Sequence, residues 1–108
     1  MKREPMSNEG RERYEAIAQS LVAGAGASTA KMMGMPILKK DGKAFAGYAS
    51  GSMTFKLRGQ THGDALQLPG ARLFDPSGMG RPMKEWVEVP ASASEHWERL
   101  ARAALEGA

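Results

Sequence analysis

The stretch SMTFKLR, residues 52–58, alternates without interruption. Met53, Phe55 and Leu57 fall on one side of an extended chain, and Thr54, Lys56 and Arg58 on the other. Such a segment is at home only in a sheet with one apolar and one polar face. The rest of the chain must therefore supply neighbouring strands and a cover for the apolar side. Strands are at hand. TAKMMGMPILKK (29–40) reads as two short extended pieces divided at Gly34 and Pro36, and Pro36 points to a sheet edge or bulge near Met35–Lys40. Asp41-Gly42 supplies the positive φ angles of a type I′ hairpin turn, KAFAGYAS (43–50) is the returning strand, and Ser50-Gly51 turns the chain into 52–58. ARLF (71–74), a DPSG turn (75–78) and GRPMKEWVEVP (80–90) give two further strands, the last stopped by Pro90.

Helices provide the cover. From about Asn8 to Ala23, Tyr14, Ile17, Leu21 and Val22 recur at helical spacing, and the run AGAGAS ends the pattern at Gly24 or Gly26. That run lacks a preceding strand and the Gly-Lys-Ser/Thr ending of a phosphate loop. Residues 1–7 read as a frayed tail. THGDALQL (61–68) predicts a short helix capped at Thr61. Ser92 and Glu95 fit a capping box before the stripe Trp97, Leu100, Ala101, Ala104 and Leu105. Burying Trp97 against the sheet would contribute roughly 4–6 kcal/mol at most. The order is helix, three or four strands, short helix, two strands, helix. It predicts one α+β domain over residues 1–108: two layers, with an antiparallel sheet of five or six strands and the N- and C-terminal helices on one face.

Composition narrows the function. The 108 residues contain no cysteine, which removes disulfides, thiolate metal sites and thiol nucleophiles. The longest apolar run, LVAGAGA, is far short of the roughly 20 residues that span a bilayer, and no apolar segment follows the opening MKRE. A cytoplasmic protein with no membrane partner is expected. The net charge of +3 is unevenly spread: residues 29–84 hold nine Lys/Arg against three Asp, a net of +6, whereas 85–108 hold two Arg against five Glu, a net of −3. A basic middle favours anionic partners.

The residue types of catalysis are present but not in catalytic patterns. His62 and His96 lack the further ligands a metal site requires. Ser50, Ser52 and Ser77 lack a nucleophile-elbow motif. Glu85 and Glu88, at odd spacing on one strand, point to opposite faces and cannot act as an acid/base pair. The methionines between Met32 and Met83 lie in or near strands, where methionine fills irregular gaps in a core. No catalytic, metal-binding or cofactor-binding residue is assigned, and no enzymatic activity is expected.

The feature with functional potential is the polar side of the sheet. Lys56 and Arg58 lie there beside Thr54, Lys84 shares a face with Trp86, and Lys39 and Lys40 stand on the second strand. Trp86 is out of place on a charged face unless something covers it. Two readings follow. In one, Lys39, Lys40, Lys56, Arg58, Lys84 and Trp86 form a surface for a protein partner or for a second copy of the chain. In the other, Lys31, Lys39, Lys40, Lys43, Lys56, Arg58 and Lys84 bind nucleic acid, with cations on phosphates and the Trp86 ring on a base.

Several segments also carry a resemblance: Lys31-Met32-Met33-Gly34, Asp41-Gly42-Lys43 with Phe45, Phe55-Lys56-Leu57, and Gly80-Arg81-Pro82-Met83 leading into Trp86-Val87-Glu88-Val89-Pro90. In order and spacing they make residues 31 to about 105 resemble the TfoX N-terminal domain family, related to the YjbR-like proteins. The family's Met-Phe-Gly-Gly is replaced here by Met32-Met33-Gly34-Met35. The resemblance implies an antiparallel sheet flanked by helices, in a bacterial protein of the stand-alone N-terminal type. In function it implies less: the family takes its name from a regulator of bacterial DNA-uptake competence, and it brings no catalytic residues.

Overall fold

The Asp-Gly turn forms as its chemistry requires. The computed structural model describes residues 5–32, 34–49, 51–75, 80 and 82–107, with the backbone alone for 5–9. In it Asp41 and Gly42 adopt φ of 52° and 81°, the left-handed pair of a type I′ turn. They join β2 (Met35–Lys40) to β3 (Lys43–Ala49). β1 (Ser28–Met32) precedes this hairpin and β4 (Ser52–Lys56) follows it. α2 (Gly59–Leu66), β5 (Arg72–Phe74) and β6 (Met83–Pro90) come next. α1 (Pro5–Gly24) opens the chain, and a 3-10 segment (Ala91–His96) leads into α3 (Trp97–Glu106). The six strands form one antiparallel sheet in the order β1-β2-β3-β4-β6-β5, so the fold is α+β with N- and C-terminal helices, as the sequence predicts.

One face of the sheet meets the helices. Leu38, Ala46, Tyr48, Met53, Phe55, Leu57, Val87 and Val89 share a single buried cluster with Tyr14, Ile17 and Leu21 of α1, Ala65 of α2, and Trp97, Leu100, Ala101 and Ala104 of α3. Phe45 and Ala46 both enter this core although they are sequence neighbours. The register explains it: Leu38 pairs with Ala46 and Lys39 with Ala44, leaving Phe45 as the extra residue of a β-bulge. Trp97 is fully buried and its indole Nε1–H donates to the Val89 carbonyl at 3.1 Å, which fixes α3 to β6. Tyr48 lies between Tyr14 (ring centroids 5.4 Å apart) and Trp97 (6.3 Å, edge to face).

Four local expectations need correction. The first concerns the region near Met35–Lys40, which holds the expected bulge, at Leu38/Lys39, but is not a sheet edge. β1 folds back over β2, so β2 lies inside the sheet; Pro36 pairs only with Lys31, beyond the end of the β2–β3 ladder, where its missing N–H costs no bond to β3. Secondly, α1 starts at Pro5, so residues 5–7 of the expected tail are helical, with proline at a first-turn position that needs no N–H. Thirdly, α2 starts at Gly59 after extended Arg58, so Thr61 lies within the first turn and is not the cap. Fourthly, the Ser92–Glu95 capping box does not form. Both residues lie in the 3-10 segment, Ala93 (φ −116°, ψ 27°) interrupts its helical geometry, and neither that segment nor α3 has a side-chain cap. The expected strand to Arg58 ends at Lys56, although the Leu57 N–H still reaches the Glu85 carbonyl at 2.9 Å. Residues 76–78 of the DPSG turn, and Ser50 of the Ser50-Gly51 turn, lie outside the described residues.

Candidate binding surface

The face away from the helices is built from a different set of side chains. A single row crosses it in register: Ala30 on β1, Ile37 on β2, Gly47 on β3, Thr54 on β4, Glu88 on β6 and Arg72 on β5. No helix covers this row, yet Ile37 is only 3% exposed and Thr54 is fully buried. The cover comes from the face itself. A Cβ on Gly47 would lie 3.2 Å from Met35 Cε, 3.3 Å from Ile37 Cγ2 and 3.1 Å from Thr54 Oγ1. Glycine therefore leaves the space into which the Met35 side chain folds. The floor is small and apolar, with one anomaly: the enclosed Thr54 hydroxyl has no hydrogen-bond partner among the described residues.

The border of this floor is charged, and the charges are of both signs. Lys56 on β4 stands opposite Trp86 on β6, and its ammonium lies 3.9 Å from a Glu85 carboxylate oxygen. On the outer strand the Arg72 guanidinium donates from Nε to Glu88 at 3.4 Å. Trp86 is half-buried and stands outside the helix-side core cluster. The alternation that made it seem misplaced holds from Trp86 to Val89, where Val87 and Val89 enter the core. Before Trp86 it fails. Leu73 pairs with Val87 but Phe74 pairs with Met83, so β6 carries three surplus residues, Lys84 to Trp86, against β5.

The predicted surface residues separate in consequence. Lys39, Lys56 and Trp86 share the helix-free face. Lys40 is on the opposite side, with Leu38, and its Nζ comes within 3.9 Å of the space beside Gly26 in the α1–β1 turn. Arg58 is exposed ahead of α2. Lys84 is exposed in the surplus segment of β6, where its carbonyl accepts a 2.7 Å hydrogen bond from His62 Nε2. His62 thus ties α2 to β6, a role for which its sequence context carries no signal. Arg72 and Glu88 also escaped selection, because only the cross-strand register brings them onto the row of Thr54.

Two other titratable groups are engaged in structure. His96 takes a 3.0 Å hydrogen bond from the Arg99 guanidinium and has a Glu95 oxygen 3.7 Å away. Burial pushes the Tyr14 phenol up to about 12, so it stays protonated. Among the described residues no three or more His, Asp or Glu side chains are grouped to hold a metal ion. No described helix is long and apolar enough to cross a membrane. Compared with models of known protein families, with curated proteins and with solved structures, the chain matches none.

Proposed function

We propose that the chain is a non-enzymatic domain that works by protein–protein contact through its helix-free sheet face, in a regulatory role of the kind the TfoX N-terminal resemblance implies. The observation that supports a protein surface over a polyanion is the charge on this face. Lys56 and Arg72 each have a carboxylate beside them, and the centre between them is apolar. A nucleic-acid groove instead presents cations free to take phosphates. The basic residues that would have reinforced such a groove, Lys40 and Arg58, stand away from it.

A second copy of the chain is the occupant that suits this face. A two-fold axis along the strands, between β3 and β4, exchanges the positions of β2 and β6. Lys39 of one copy then stands over Trp86 of the other, a pairing of cation and ring, and the Met35 side chain over Gly47 lies between the two floors. Light scattering over a concentration series tests this. The wild-type chain should become dimeric, and Trp86→Lys, which places cation against cation, should hold it monomeric. A wild-type monomer at high micromolar concentration defeats the proposal. Binding of a single-stranded oligonucleotide at low salt, with an affinity that falls steeply as salt rises, would put the nucleic-acid reading in its place.

A further inference from the structure

The sheet has a second surface equipped for binding, along the outer edge of β1. Among the described residues β1 pairs with β2 alone, so its other side offers backbone N–H and C=O groups with no ladder partner. Beside it runs a groove of about 720 Å³, walled on one side by α1 (Tyr14, Ala18 and Val22, with Gln19 and the mutually paired Arg11 and Glu15) and on the other by Thr29, Lys31 and Pro36. Of the three large hydrophobic side chains that are strongly exposed among the described residues, Val22 (43%) lies on the groove wall, while Met32 (51%) ends β1 on the face away from the groove. An open strand edge beside a largely apolar channel is what an added β-strand requires. Its backbone completes the ladder, and alternate side chains enter the channel.

Charge specifies the occupant. Residues 31–43, which include the end of β1 and the whole of β2, carry Lys31, Lys39, Lys40 and Lys43 against Asp41 alone. None of these four lysines has an ion pair among the described residues. Lys31 lines the groove, and Lys39 stands beside Ser28 at the other end of β1. A second copy paired edge to edge would bring two such basic hairpins together, which disfavours it. We infer that the β1 edge and its α1 groove capture an acidic, extended peptide segment of another protein, added as a seventh strand of the sheet with apolar side chains directed toward α1. This surface is separate from the helix-free face, and its test is independent of the dimer experiment.

The probe is an acetylated heptapeptide alternating valine and glutamate, compared with its valine–lysine counterpart, and the readout is the amide spectrum of the intact chain by heteronuclear NMR. The acidic peptide should shift the amides of Ser28–Met32 and the α1 residues that line the groove. It should bind about tenfold more tightly than the basic one. Val22→Glu, an exposed substitution that places a carboxylate in the channel, should abolish the shifts. The inference is overturned by equal affinity for the two peptides, by shifts confined to the helix-free face, by insensitivity to Val22→Glu, or by no response at about 1 mM peptide.

Discussion

The two faces of this sheet share one backbone and differ in what they ask of side chains. The helix side is filled with large residues in mutual contact, and its most demanding polar atom, the Trp97 indole N–H, has a carbonyl partner. The bare side has a floor of alanine, glycine, threonine and isoleucine, roofed by one flexible methionine and bordered by solvent-screened ion pairs, and it encloses a hydroxyl with no partner among the described residues. Folding free energy comes mainly from buried apolar area, so the first face carries the stability. The second contributes less and tolerates an unsatisfied group. That is the condition of a surface whose composition answers to contact and not to folding.

The contrast is broken most directly by truncation. Trp97→Ala should destabilise the chain by about 3–5 kcal/mol, because it opens a cavity at the junction of α3, β3 and β6 and removes the bond to Val89. Denaturant unfolding measures it. A loss below about 1 kcal/mol would mean that α3 is not what holds the sheet. Tyr14 sharpens the same side. Its phenol titrates at about 12 in the folded chain against 10 when free, so the folded state holds the proton more tightly. Its contribution is complete below pH 10 and is lost as pH rises from 10 through 12. Tyr14→Phe should therefore flatten the alkaline fall of stability relative to the wild-type chain, as measured by unfolding at pH 8 to 11; parallel curves would mean that the phenol is not buried in solution.

The same contrast marks what the sequence could convey. The helix-side face was legible because its signals are local: period-two alternation through Met53, Phe55 and Leu57, and a helical stripe from Trp97 to Leu105. The short Asp41-Gly42 turn fixed one pairing outright. What stayed hidden depends on register between distant segments. Nothing local says that β1 covers β2, that Phe45 is a bulge residue admitting two neighbours to the core, or that β6 carries three surplus residues against β5. Those offsets decide the candidate surface. They place Lys39 and Trp86 on one face, send Lys40 to the other, and add Arg72 and Glu88. Helix starts were misplaced for a related reason. Thr61 and Ser92 are good caps by type, but the turn at Gly59 and the 3-10 segment after Pro90 had already set where the helices begin.

Thr54 gives the smallest expected effect and the finest test of the contrast. Threonine and valine have nearly the same shape, so Thr54→Val changes little except the hydroxyl. In a core where that group is bonded, the substitution costs stability, because the former partner is left unpaired. Here Oγ1 is enclosed without a partner among the described residues, and the chain bears the desolvation of a hydroxyl for no return. Thr54→Val should therefore stabilise the chain by about 1 kcal/mol, seen as a higher denaturant midpoint with an unchanged slope. The measurement belongs at low micromolar concentration, where a face-to-face dimer contributes least. Stabilisation there would show the bare face keeping a cost that its own fold does not require. Destabilisation would mean that the hydroxyl has a partner, and that the two faces are built by the same rule after all.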